Sequence, residues 1–167
     1  IISLQLFKSA GFKVTKKDQG TIYMELKNKL IFKKVDSKDA LILYDLLKKR
    51  TYNISHEVLP DFKSHKKFVE KNPYLHWYIL SLNGKAIGTF YIKDDNSIGI
   101  NTNEPTKEII KEVLEFILDN FSPRKGIPSE IPNYFFINVA QNNNQLKDIV
   151  RSLGYLPLQI SYKIIRS

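Results

Sequence analysis

The sequence has no cysteine. Disulfides, thiolate metal sites and cysteine nucleophiles are excluded, and the chain suits a reducing compartment. Its 3 histidines are too few for a histidine-rich metal site, so no metal is expected. No apolar run approaches the ~20 residues of a membrane span. No basic segment leads into an apolar stretch and a small-residue cleavage site. The expectation is a soluble, cytoplasmic protein that engages no membrane. No Pro/Gly/Ser linker and no low-complexity tract divides the 167 residues, a length suited to one domain. The first residue is Ile1 rather than methionine.

Hydrophobic residues make up 43% of the chain, enough for a real core. The net charge is +9, which favours anionic partners. That excess is dispersed among "KVTKK" at 13–17, "KNKLIFKK" at 27–34, "LKKR" at 47–50, "SHKK" at 64–67 and "PRK" at 123–125. Dispersed lysine describes a solvated surface. Lysine far exceeds arginine, the residue favoured for reading bases, and no nucleic-acid motif is present, so no nucleic-acid partner is expected.

Leu4, Phe7 and Ala10 recur at helical spacing before Gly11. "FKVT" and "TIYMEL" follow as strands, and "TIYMEL-KN-KLIFKKV" reads as two strands meeting at Lys27-Asn28. Asp36 or Ser37 caps a helix to about Lys49. A second helix spans about 61–71, with Phe62, His65, Phe68 and Val69 inward, and ends at Asn72-Pro73. Asn83-Gly84 makes "LHWYILSLNGKAIGTFYI" the clearest hairpin. Asp94-Asp95-Asn96 turns the chain into "SIGIN". Pro105 opens a helix to about Asn120. "FSPRKGIPSEIPN" is loop. "YFFINVA" reads as a buried strand, 142–153 as a helix ended by Gly154, and "LQISYKII" as the last strand. Hairpins before single β-α-β connections predict a mixed α/β fold, its central sheet mostly antiparallel and flanked by helices.

This order resembles the GNAT superfamily of acyl-CoA-dependent N-acetyltransferases over about residues 29–165. "DSKDALILYDL" is similar to the family's D-A-x-x-L-Y helix start. His65-Lys66-Lys67-Phe68 resembles the His-x-x-Phe/Trp of a subgroup acting on amino sugars. "NGKAIGTFYI" looks like the third-strand entry. "NQLKDIVRSLGY" with Asn143 before it looks like the family's ending, Asn-x-x-Ala-x-x-Leu-Tyr-x-x-Leu-Gly-Phe. The opening "SLQLFKSAGF" resembles that same ending. Residues 1–28 are therefore expected to be a helix–strand–strand fragment like the tail of a preceding GNAT-like unit, with 29–167 as the GNAT-like domain. An additional N-terminal domain or a dimer is the corresponding expectation.

The resemblance implies acetyl-CoA as cofactor and a small-molecule amine, such as an amino sugar or sugar nucleotide, as acceptor. It places the cofactor near Ile100, Asn101, Thr106, Lys107 and Asn143. The acceptor would lie near Arg50 and Asn53, with Glu57 or His65 as catalytic base. His76 is a further candidate base. The bland alternatives are a packed histidine at 65 and a helix-capping asparagine at 143. Two departures stand out. The glycines that let backbone amides close on a pyrophosphate are replaced by Thr106, Glu108 and Ile110. The family's general-acid tyrosine is replaced by Val150, and Tyr155 is expected in the core. The sequence thus supports an acyltransferase, with a catalytically degenerate, ligand- or partner-binding GNAT-like domain as the alternative.

Overall fold

A computed structural model describes residues 4–5, 12–26, 30–52, 58–162 and 164. Strands β1 (Phe12–Asp18) and β2 (Thr21–Leu26) form an antiparallel hairpin with a sheet of its own. The turn between them places Gln19 and Gly20 at φ 31° and 86°, a conformation natural to glycine. This corrects the expected pairing of "TIYMEL" with "KLIFKK". β2 turns back onto β1, while β3 (Leu30–Lys34) pairs with a later strand. Lys27 and Asn28 lie outside the described residues.

The main sheet has the order β3-β4-β5-β6-β7. Its further strands are β4 (His76–Leu82), β5 (Lys85–Ile92), β6 (Ser97–Thr102) and β7 (Phe136–Ile137). Only β6 and β7 are parallel; the other pairs are antiparallel. Asn83 and Gly84, at φ 52° and 77°, make the predicted tight turn from β4 to β5.

The helices are α1 (Ala40–Lys48), α2 (Phe62–Lys71), α3 (Lys107–Asn120) and α4 (Asn144–Ser152). A single 3-10 turn (Ser37–Asp39) leads into α1. Asp36 accepts from the Lys38 amide at 2.7 Å, and its own amide donates to Asp39 at 3.0 Å, closing a capping box. Lys33 pairs with the buried Asp39. Asp61 caps α2 through the Ser64 amide at 3.0 Å, and Asn72 ends it at φ 41°. Pro105 precedes the cap of α3, Thr106, instead of opening the helix.

Alternation along the strands builds two cores. Leu80, Phe90, Ile92, Ile98 and Ile100 face α3 and α4, where Ile110, Val113, Ile117 and Leu146 meet them. On the other face Trp77 and Ile79 pack against Val35, just after β3, and against Ala40, Leu43 and Val69 of the α1/α2 layer. Each such side chain contributes about 1.5–3 kcal/mol by leaving water. Of the inward positions expected on α2, His65 and Val69 are buried, whereas Phe62 and Phe68 are exposed.

The C-terminal half departs from expectation in two places. "YFFINVA" pairs only at Phe136 and Ile137, both half-buried. "LQISYKII" forms no strand among its described residues; Leu158, Ile160 and Tyr162 stand exposed, as does Tyr155 at 44%. The alternation is real, but among the described residues no neighbouring strand edge receives it. β7 is two residues long and gives the segment nothing to pair with. Tyr155 leaves the expected core because Gly154, at φ 91°, turns the chain off α4.

Candidate functional site

β6 and β7 meet at Ser97↔Phe136 and Ile98↔Ile137 and then part. Asn138 donates to the Ile98 carbonyl at 3.0 Å, after which the chain turns toward α4. On the other side of β6, Lys93 donates to the Ser97 carbonyl and Asn103 to the Ile87 carbonyl, both at 2.9 Å. Residues 97, 99, 101 and 103 therefore bond toward β5. By strand alternation, Ile98, Ile100 and Thr102 direct their amides and carbonyls the opposite way. Ile98 meets β7; Ile100 faces the gap.

That gap joins a cavity of about 720 Å³ reaching from the end of α1, across the middle of β5 and β6, to the start of α4. This is the volume of a small-ligand site. Its floor is aromatic. Tyr91 stacks on Tyr74 with ring centroids 4.0 Å apart and an interplanar angle of 11°. Trp77 meets Tyr74 edge-on at 5.0 Å, and Phe68 meets both at 5.9 Å. Burial, with Tyr91 adding to it, pushes the Tyr74 phenol up to about 12. Burial also raises Tyr91. Both phenols are neutral at ordinary pH.

Arg50 follows the end of α1, where its amide donates to the Leu47 carbonyl at 3.2 Å. It is half-buried and lines the cavity. Its Nε donates to the Tyr52 carbonyl at 2.7 Å. Burial depresses the guanidinium pKa, and Tyr91 and Tyr74 oppose that shift. His65 also borders the cavity but is 6% exposed. Its imidazole donates to the Ala40 carbonyl, while Nε2 is buried without a partner among the described residues. Burial lowers its pKa, so the ring is neutral and its free lone pair is sealed from solvent. The packed role is what this geometry describes. His76 lies against Phe121, centroids 4.2 Å apart, and does not border the cavity. Asn53 and Glu57 lie outside the described residues.

Ile100, Asn101 and Asn143 line the cavity. The Asn143 side-chain oxygen accepts from the Leu146 amide at 3.0 Å and caps α4. Its Nδ2 has no hydrogen-bond partner among the described residues. Thr106 and Lys107 stand just outside, at the start of α3. Thr106 Oγ1 accepts from the Ile109 amide at 3.3 Å, and Ile110 donates to the Thr106 carbonyl at 3.0 Å. The Glu104 amide donates to Thr102 Oγ1 at 3.1 Å and the Thr106 amide to the Glu104 carbonyl at 2.9 Å. The amides of Lys107 and Glu108 are left without an intrahelical acceptor. Lys107 Nζ reaches the Ser152 carbonyl at 3.1 Å and Gln145 the Pro105 carbonyl at 3.2 Å, tying α3 to α4. The Thr106 and Glu108 side chains are exposed and do not close the gap.

Sequence reasoning missed Tyr74, Trp77, Tyr91 and Gly99 as parts of this site. The available signal was the spacing of "GTFYI" and "SIGI", which sets Tyr91 opposite Gly99. Nothing local reveals that Tyr74 would stack there.

No protein-family model and no curated protein matches the sequence. Solved structures do. A domain from Methanocaldococcus jannaschii superposes with a TM-score of 0.57 at 13% identity, covering 81% of this chain and 93% of its own. Aminoglycoside N-acetyltransferase AAC(6')-Iy, in complex with CoA, gives 0.56 at 10% identity, covering 83% and 95%. RimL, a ribosomal L7/L12 α-N-protein acetyltransferase also in complex with CoA, gives 0.55 at 13% identity, covering 77% and 80%. The chain has the fold of the GNAT acetyltransferases.

Proposed function

We propose that this chain is an N-acyltransferase that draws its acyl group from an acyl-CoA, acetyl-CoA in the first instance, and passes it to a small-molecule amine. We assign the activity to residues 29–167. The observation that carries the reading is the parting of β6 and β7 after Ile98, which leaves the Ile100 backbone facing a ligand-sized cavity. When bound, acyl-CoA supplies a thioester carbonyl open to attack by an amine. The residues present fit such a group. Ile100 offers an amide that is unpaired among the described residues to a carbonyl oxygen, a donor already oriented by the sheet. Asn143 offers Nδ2 to the polar arm. The free amides of Lys107 and Glu108, at the positive end of α3, suit a phosphate.

The acceptor enters on the α1/α2 side, over Tyr74 and Tyr91. Glu57 is our proposed proton acceptor for the amine. It directly precedes Val58, which lines the cavity, and no described lining residue is a carboxylate. His65 is unsuited, since its lone pair is sealed in.

A second reading, a ligand-binding GNAT-like domain without transfer, draws support from the start of α3. Pro105 has no amide to give, and the amides of Glu104, Thr106 and Ile109 are already engaged. Two free amides are a sparse grip for a pyrophosphate.

Thermal unfolding with and without acetyl-CoA tests both. A hundredfold excess over the dissociation constant stabilises the native state by about 2.7 kcal/mol. Thiol release from acetyl-CoA, followed colorimetrically across an amine panel, then separates transfer from binding; the chain has 0 cysteines to add background. Stabilisation with transfer supports the acyltransferase, and stabilisation without transfer favours the second reading. No stabilisation at millimolar acetyl-CoA rejects acyl-CoA as ligand.

A further inference from the structure

The acceptor half of the cavity has an uneven charge. Lys48, Lys49 and Arg50 line it beside the neutral His65, and no described lining residue is Asp or Glu. Lys48 is already paired with Asp45 at 2.6 Å. Lys49 is exposed. Arg50 alone is drawn in, and among the described residues its guanidinium has one bond, from Nε to the Tyr52 carbonyl at 2.7 Å, and no carboxylate partner. A half-buried guanidinium without an anion is less favourable than one whose charge a ligand balances. The bond from Nε to the Tyr52 carbonyl ties that cation into the cavity that Tyr74 and Tyr91 also line.

We propose that the acceptor amine carries a carboxylate and that Arg50 anchors it. The word acceptor rests on the acyltransferase reading; the carboxylate site does not. With Nε committed to Tyr52, the two terminal nitrogens remain, and their parallel N–H bonds match the two oxygens of a carboxylate. One fixed cation balances one negative charge, which suits a carboxylate better than a phosphate dianion. The stacked tyrosines beside it favour a flat or apolar body on the ligand. A polycationic aminoglycoside would meet lysine and arginine among the described lining residues. An amino sugar satisfies the site only if it bears an acid group.

Trp77, the chain's 1 tryptophan, borders the cavity and serves as reporter. Phenylacetate, benzylamine and phenylphosphonate present the same ring with different charge. Each is titrated against the full chain, following Trp77 fluorescence and the indole N–H resonance. Phenylacetate is expected to shift both saturably, and benzylamine at least tenfold more weakly. Arg50→Gln should weaken phenylacetate tenfold or more, with Arg50→Lys in between. An unchanged unfolding midpoint of Arg50→Lys guards against a folding defect. Equal binding of benzylamine, or undiminished phenylacetate binding in Arg50→Gln, overturns the proposal. Tighter binding of phenylphosphonate overturns the assignment of the anion as a carboxylate. Acetyl-CoA affinity is measured on the same samples. Its absence with phenylacetate bound defeats the acyltransferase reading and leaves the carboxylate site; the reverse result defeats the site alone.

Discussion

The ring of Tyr91 lies across the Cα of Gly99, its partner in the β5/β6 pairing. A Cβ built on Gly99 would stand 2.1 Å from Tyr91 Cζ and 2.4 Å from its hydroxyl oxygen. The missing side chain of one residue is thus the seat of the other. Tyr91 can lie flat, stack on Tyr74 and form the cavity floor because residue 99 is glycine.

Gly99→Ala should therefore displace Tyr91 and break the Tyr74 stack. Overpacking of this kind costs about 1–3 kcal/mol. Urea unfolding should show a lower midpoint with an unchanged slope. Trp77 emission should change as well, since Tyr74 packs on its ring. An unchanged midpoint and spectrum would mean that the floor adjusts freely.

Asn96 should prove the most sensitive polar position away from the cavity. It is 0% exposed and sits at φ 66°. Its Nδ2 donates to the Arg124 carbonyl at 2.9 Å and the Pro132 carbonyl at 2.7 Å, and its Oδ1 accepts from the Arg124 amide at 2.7 Å. These bonds hold both sides of the 121–135 loop, and the Phe136 amide donates to the Asn96 carbonyl. Asn96→Ala leaves three partly buried groups unpaired at about 1–3 kcal/mol each, with partial relief from water. A loss of about 3–5 kcal/mol is expected, and amide exchange at Phe136 should accelerate. A loss under about 1 kcal/mol would show that the loop stands without this residue.

Local rules carried much of the fold. Asn83-Gly84, the Asp36 cap and the end of α3 at Asn120 are settled within a few residues of chain, and each lies where the sequence puts it. Pairing between distant segments was less legible. "TIYMEL" has two eligible neighbours, and it pairs with β1 across the Gly20 turn while β3 pairs with β4. "LQISYKII" alternates like a strand, but alternation names no partner. The site divides in the same way. Ile100, Asn101, Asn143 and Arg50 were reachable from motif order. The aromatic floor needed the register of β5 against β6.

Stability should fall as pH drops below about 6.5. Burial, partly offset by the bond to Ala40, lowers the His65 pKa; burial and then Lys34 lower that of His76. The unfolded chain therefore takes up protons at higher pH than the native one. Unfolding free energy then rises with pH between the folded and unfolded values. The contribution is complete above the unfolded value and is lost as pH falls through the folded one. Urea midpoints at pH 5, 6, 7 and 8 should show this slope, and His65→Leu should flatten it whatever its effect at pH 8. A slope unchanged in His65→Leu and in His76→Asn would assign it to other groups.

Two roles of Asn143 can be separated with two substitutions. Its Oδ1 caps α4 through the Leu146 amide, and its Nδ2 is the group assigned to the ligand. Asn143→Asp keeps a capping oxygen and adds a negative charge at a helix N-terminus, which is favourable there. Its unfolding midpoint should match the parent or exceed it. The same change removes the Nδ2 donor and sets a carboxylate in the cavity, so acetyl-CoA affinity should fall about tenfold, the worth of a lost hydrogen bond plus repulsion. Asn143→Ala loses both functions and should cost about 1 kcal/mol of stability as well. Calorimetric titration of the two variants beside urea unfolding gives both numbers. If Asn143→Asp binds acetyl-CoA like the parent, the residue is a helix cap alone, and the polar arm of the ligand must find its donor along β6.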